Sequence, residues 1–86
     1  MREEEFISKL KEFGFKTGKS THQLSKAVGS MLIAVSRIDE SKWGVIKHLF
    51  IEHLSERTFY DGFKSFEEVL DIVMELESTY LNLKEN

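Results

Sequence analysis

Ser20 to Asp39 reads STHQLSKAVGSMLIAVSRID, and the period of its apolar residues decides the fold. Leu24, Val28, Met31, Val35 and Ile38 recur at steps of four and three. Such steps place one apolar stripe along an α-helix. Ser20-Thr21-His22-Gln23 matches a capping box, in which the serine hydroxyl accepts a backbone N–H and the third residue reaches back to the cap. The spacing predicts a helix over 20–38.

The same period extends outward. Phe6, Ile7, Leu10 and Phe13 form a short stripe before this segment. Trp43, Ile46, Leu49, Phe50 and Leu54 form one after it, and Val69, Val73, Leu76, Tyr80 and Leu83 close the chain. Ser65-Phe66-Glu67-Glu68 is a second capping box, and Asp39 to Ser41 supply polar caps for the third stripe. Gly14 and Gly18 bracket the first loop, and Asp61-Gly62 sits in the last. No alternating strand pattern, internal repeat or low-complexity tract is read. The predicted fold is all-α: a compact four-helix bundle with helices near 2–13, 20–38, 41–56 and 65–83, in one domain over 1–86. Loop 57–64 holds three aromatics, of which Phe59 and Phe63 are expected to plug the bottom of the core.

Composition agrees with a folded domain. The 86 residues are 41% hydrophobic and 31% charged, which argues against disorder. The absence of cysteine excludes a disulfide framework, a thiolate nucleophile and a zinc knuckle. The start, Met-Arg-Glu-Glu-Glu-Phe, lacks the basic-then-apolar order of a signal peptide. Met31 to Val35, the most apolar run, is too short to span a bilayer. A soluble, cytoplasmic protein with no membrane partner is expected.

The net charge of −3 is unevenly placed. Residues 8–37 carry six bases against the single acid Glu12, whereas residues 38–86 carry eleven acids against five bases. The asymmetry reads either as two segments packed beside each other or as a basic face for an acidic partner.

Residues 14–21, GFKTGKST, end like a phosphate-binding loop. That loop needs four residues between its glycines and a preceding buried strand. Here three residues separate Gly14 from Gly18, and the preceding segment is helical in pattern. His48, Glu52 and His53 resemble a metal motif, but on a helix His53 would point about 100° away from the other two. Glu67, Glu68, Asp71, Glu75 and Glu77 read as the solvated face of the last helix. No enzyme activity, cofactor or metal is expected.

The second helix carries the candidate site. With Met31 toward the core, Ile33 falls on the opposite side, near His22, Lys26, Gly29 and Arg37. Leu32 lies at the flank, beside a strip of small residues at Ser25, Gly29 and Ser36. Apolar anchors within a polar rim are how interfaces are built. The candidate partner-binding residues are Leu32 and Ile33 at the centre, Lys26 and Arg37 at the rim, and His22 and Lys19 at the edge.

Residues 20–39 also resemble the helix-turn-helix of lambda-repressor-like (Xre-type) proteins. Leu24-Ser25-Lys26-Ala27-Val28-Gly29 looks like the second helix and turn glycine, and Val35-Ser36-Arg37-Ile38-Asp39 like the end of the recognition helix. The resemblance covers about a quarter of the chain. It implies DNA binding, with Lys19, Lys26 and Arg37 on phosphates. The start of the recognition helix would be Ser30 to Ala34, which is largely apolar. Two functions are therefore carried forward. The first is a small non-enzymatic protein-binding module, a regulator, inhibitor or adaptor, acting on another protein or on a second copy through the exposed face of the second helix. The alternative is a nucleic-acid-binding regulator that uses the basic segment 8–37.

Overall fold

A computed structural model describes residues 1–20 and 22–85, with the side chains of residues 84 and 85 excepted. Thr21, the last letter of the GFKTGKST run, lies outside the described residues. The chain runs α1 (Glu3–Glu12), β1 (Lys16–Thr17), β2 (Gln23–Val28), β3 (Met31–Asp39), β4 (Lys42–Ile51), β5 (Leu54–Tyr60), α2 (Phe66–Glu85). The five strands form one antiparallel sheet in sequential order.

The four-helix bundle is thereby overturned, and with it the all-α class. Segments 2–13 and 65–83 carry α1 and α2, but where helices are expected over 20–38 and 41–56 the described residues form β2, β3, β4 and the start of β5. In place of the helix-turn-helix, β2 and β3 form a β-hairpin over 23–39, with Gly29 and Ser30 as its two-residue turn. The physical reason lies in parity. Along a strand, every second residue faces the core. Leu24 and Val28 are even-numbered inward positions of β2, and Met31 and Val35 are odd-numbered inward positions of β3. The two-residue turn shifts the parity once. A hairpin therefore reproduces the four-three-four spacing of a helical stripe.

Local chemistry sets the ends of the elements. Gly14 has φ +98, which suits glycine, and its N–H donates to the Lys11 carbonyl at 3.0 Å. The Phe15 N–H donates to the Leu10 carbonyl at 3.0 Å. Together they close α1 as a Schellman motif. Glu3, Glu4 and Glu5 open that helix, and Lys9 and Lys11 close it, each matching the macrodipole. At α2, the Ser65 hydroxyl accepts the Glu68 N–H at 3.3 Å, while the Glu68 carboxylate accepts the Lys64 N–H at 2.8 Å. This is a capping box whose return bond lands one residue upstream.

Both helices pack on one face of the sheet. The core joins Phe6 and Leu10 of α1 and Val69, Leu70 and Val73 of α2 to the inward strand residues Leu24, Met31, Ile33, Val35, Trp43 and Val45. Phe6 stacks on Phe66 at 4.5 Å and meets Trp43 edge-on at 5.1 Å, so aromatic contacts tie the two helices to β4. Phe63 packs at the margin of this core, but Phe59 is 54% exposed on the other side of the sheet and plugs nothing there.

Candidate protein-interaction surface

The face of the sheet away from the helices is built by the same alternation. In β3, Met31, Ile33 and Val35 are buried, so Leu32, Ala34 and Ser36 point to the opposite face. The strand register carries this across the sheet. One outward row runs Lys16, Ser25, Ala34, Ile46, Phe59, and the next runs Ala27, Leu32, His48, Arg57. Both helices lie behind the sheet, and among the described residues nothing covers this face. Ile38, Phe50 and Phe59 keep about half of their surface in solvent there.

Two local features shape the face. A bulge between Arg37 and Asp39 inserts Ile38 as an extra residue in β3. Ile38 then leans over Gly44, where a Cβ would meet Ile38 Cδ1 at 2.8 Å and the Phe59 ring at 2.9 Å. Gly44 is thus a notch that two neighbouring side chains fill. On β4, the His48 and Phe50 rings stack with centroids 4.1 Å apart. The Ser55 hydroxyl meets His48 Nε2 across the β4–β5 pair. No Asp or Glu stands in either outward row, and Arg57 and Lys16 lie at opposite edges.

The structure disperses the residues chosen from sequence. Leu32 is on this open face, half-buried. Ile33 is fully buried in the core and presents nothing to a partner. Lys26 points inward, where its ammonium donates to the Phe13 carbonyl at 2.6 Å and to both Glu77 oxygens at 2.9 and 3.0 Å. Arg37 lies 3.5 Å from Glu3, and the His22 ring is 3.7 Å from the same carboxylate. Lys19 is exposed in the connection between β1 and β2. Two of the six bases in segment 8–37 are therefore held by acids of this chain.

Sequence reasoning missed Ala34, Ile46, Phe50 and Phe59. Helical spacing places Ile46 and Phe50 in a core stripe, and the aromatic loop places Phe59 as a core plug. Their common face is visible only once the strands and their register are known. The signal present in the sequence was β-branched enrichment: Ile33, Val35, Ile38, Val45, Ile46 and Ile51 crowd the two central strands.

Chemical machinery is sparse. His48 and Ser55 are hydrogen-bonded, but the other contact on the imidazole is the face of Phe50 and not a carboxylate that would orient it for base catalysis. Among the described residues there is no cluster of three metal-ligating side chains, no buried side-chain polar atom without a partner, and no helix long and apolar enough to cross a membrane. No protein-family model, curated protein or solved structure matches the chain.

Proposed function

We propose that this protein is a small non-enzymatic interaction module that works through the open face of its sheet. One observation carries the reading: an antiparallel sheet has one face packed against two helices, except at the Ile51–Leu54 end of the β4–β5 hairpin, and the other left apolar and uncovered. Scattered exposed apolar residues are ordinary on a soluble protein, but a contiguous patch rarely stays bare. Leu32, Ile46, Phe50 and Phe59 form such a patch across three adjacent strands. The occupant it suits is a protein surface, because the patch is apolar apart from the His48 ring, and its lysine and arginine stand only at the margins.

The nucleic-acid reading is weaker on the same grounds. Phosphate recognition needs unpaired cations, and Lys26 and Arg37 are engaged by Glu77 and Glu3.

The test places a photo-crosslinking amino acid at Leu32 and, as a control, at Glu4, an exposed α1 residue. A discrete protein adduct from position 32 and none from position 4 is the expected result. Absence of an adduct at position 32, or binding of single-stranded nucleic acid that collapses between about 50 and about 200 mM salt, overturns the reading.

A further inference from the structure

We infer that the occupant of the open face is a second copy of this chain, packed sheet to sheet about a two-fold axis that runs parallel to the strands along β3. The inference rests on the reading of that face as an interaction surface and names its partner.

The relief of the face supports self-packing. In the two central rows its β2 side is low, with Ser25 and Ala27, and the longer Gln23 stands only at the start of the strand. Its β4–β5 side is high, with Ile46, His48 and Phe59. A two-fold axis along β3 turns the high side of one copy onto the low side of the other, as an isologous interface requires. The rows then match in size. Ile46 faces the partner's Ser25, and His48 faces the partner's Ala27. Ala34 and Leu32 lie near the axis and meet their own counterparts. Sheets packed this way in sandwiches stand about 10 Å apart and keep their strands within about 30° of alignment.

Charge points to the same occupant. Neither outward row holds an acid, so self-packing buries no carboxylate. Arg57 on β5 is turned toward the β1 side, beyond the two residues that β1 contributes, where it stays in solvent. Phe59 is turned toward the partner's Lys16, whose stem and ammonium suit an aromatic ring. An acidic partner would instead require cations at the centre of the patch, and they stand only at its edges.

The area fits a weak dimer that dissociates on dilution. β2 to β5, spaced about 4.8 Å apart and paired over about six residues, give a face of about 19 by 20 Å, to which β1 adds only two residues. Two such pleated surfaces bury on the order of 800 Å² in total, at the small end, where contacts are weak and reversible.

The experiment uses the full chain. Sedimentation of the unaltered protein should show a dimer that dissociates on dilution, and Ala34→Arg, at the axis, should sediment as a monomer with an unchanged circular dichroism spectrum. The chain has no cysteine, so Ala34→Cys introduces a unique thiol. A short bis-maleimide should couple it to its counterpart in high yield, while Glu56→Cys, on the opposite face of the edge strand β5, should stay uncoupled. Coupling through Glu56→Cys instead of Ala34→Cys would mean pairing along the β5 edge and would overturn the inference. So would a monomer at about 0.5 mM, where any dimer with a Kd below about 100 µM is well populated. In that case a photo-adduct of Leu32 with a different protein would leave the interaction-module reading standing, and its absence would remove both.

Discussion

Ile33 lies between Lys26 and Lys47 in its sheet row with no exposed surface, while Leu32 beside it opens onto the uncovered face. The two should respond oppositely to truncation. Ile33→Ala removes buried methylenes and leaves a cavity, so it is expected to cost about 3 kcal/mol in urea unfolding. Leu32→Ala in the monomeric Ala34→Arg background is expected to cost less than about 1.5 kcal/mol, because its surroundings are half solvent. Equal costs would place both residues in one core. Of the two, only Ile33 departs from the place that the helical spacing predicts. At 100° per residue Ile33 leaves the stripe of Met31 and Val35, but at 180° per residue it joins them. One residue therefore discriminated helix from strand. The turn glycine bears on the same question. Gly29 has φ +57, and a Cβ there would sit 2.5 Å from the Tyr80 hydroxyl, which accepts the Ser30 N–H at 2.8 Å. Gly29→Ala is expected to destabilise by about 2 kcal/mol, from the left-handed backbone and from displacement of that hydroxyl. Thermal melts that leave this variant unchanged would count against the hairpin.

At the scale of elements, the two helices were legible because their ends are written in local chemistry. Gly14 closes α1, and Ser65 with Glu68 opens α2. The strands were not, because a tight hairpin copies helical spacing and Ser20 offers the same letters as a cap. Ser20 instead turns the chain: its hydroxyl accepts the His22 N–H at 3.0 Å just before β2. The β4–β5 hairpin carries a different signature. Glu52, first of its two turn residues, holds φ +47, which disfavours any residue with a Cβ. Glu52→Gly is expected to raise stability by about 0.5–1 kcal/mol, the relieved strain exceeding the added entropy of glycine in the unfolded chain. A loss of stability in the same urea titration would contradict that turn geometry. Lys26 joins three elements, since its ammonium bridges the end of α1 to Glu77 of α2 from a position on β2. Lys26→Met strands a partly buried carboxylate and a carbonyl, with an expected cost of about 2 kcal/mol. Adding Glu77→Leu should recover much of that loss, whereas additive losses would mean that the pair is not coupled.

For the whole molecule, the decisive quantity is how stability depends on protein concentration. Two helices of 10 and 20 residues pack on only one side of the sheet. The charge asymmetry noted in the sequence is partly resolved inside the fold, where Lys26 of the basic segment meets Glu77 of the acidic one. Among the described residues, the apolar outward rows find no such partner. The location of this surface was hidden from the sequence for a physical reason: a patch spread over three strands exists only through register, which no single segment encodes. If a second copy covers it, unfolding and dissociation are linked, and mass action stabilises the folded state as concentration rises. For a chain of this size each tenfold increase should lift the melting temperature by about 4 °C. Ala34→Arg should melt at a temperature independent of concentration and equal to that of the unaltered protein at high dilution. A melting temperature of the unaltered protein that stays constant over a hundredfold range would instead mean that the open face stands bare in the isolated chain, and that whatever occupies it is a different molecule.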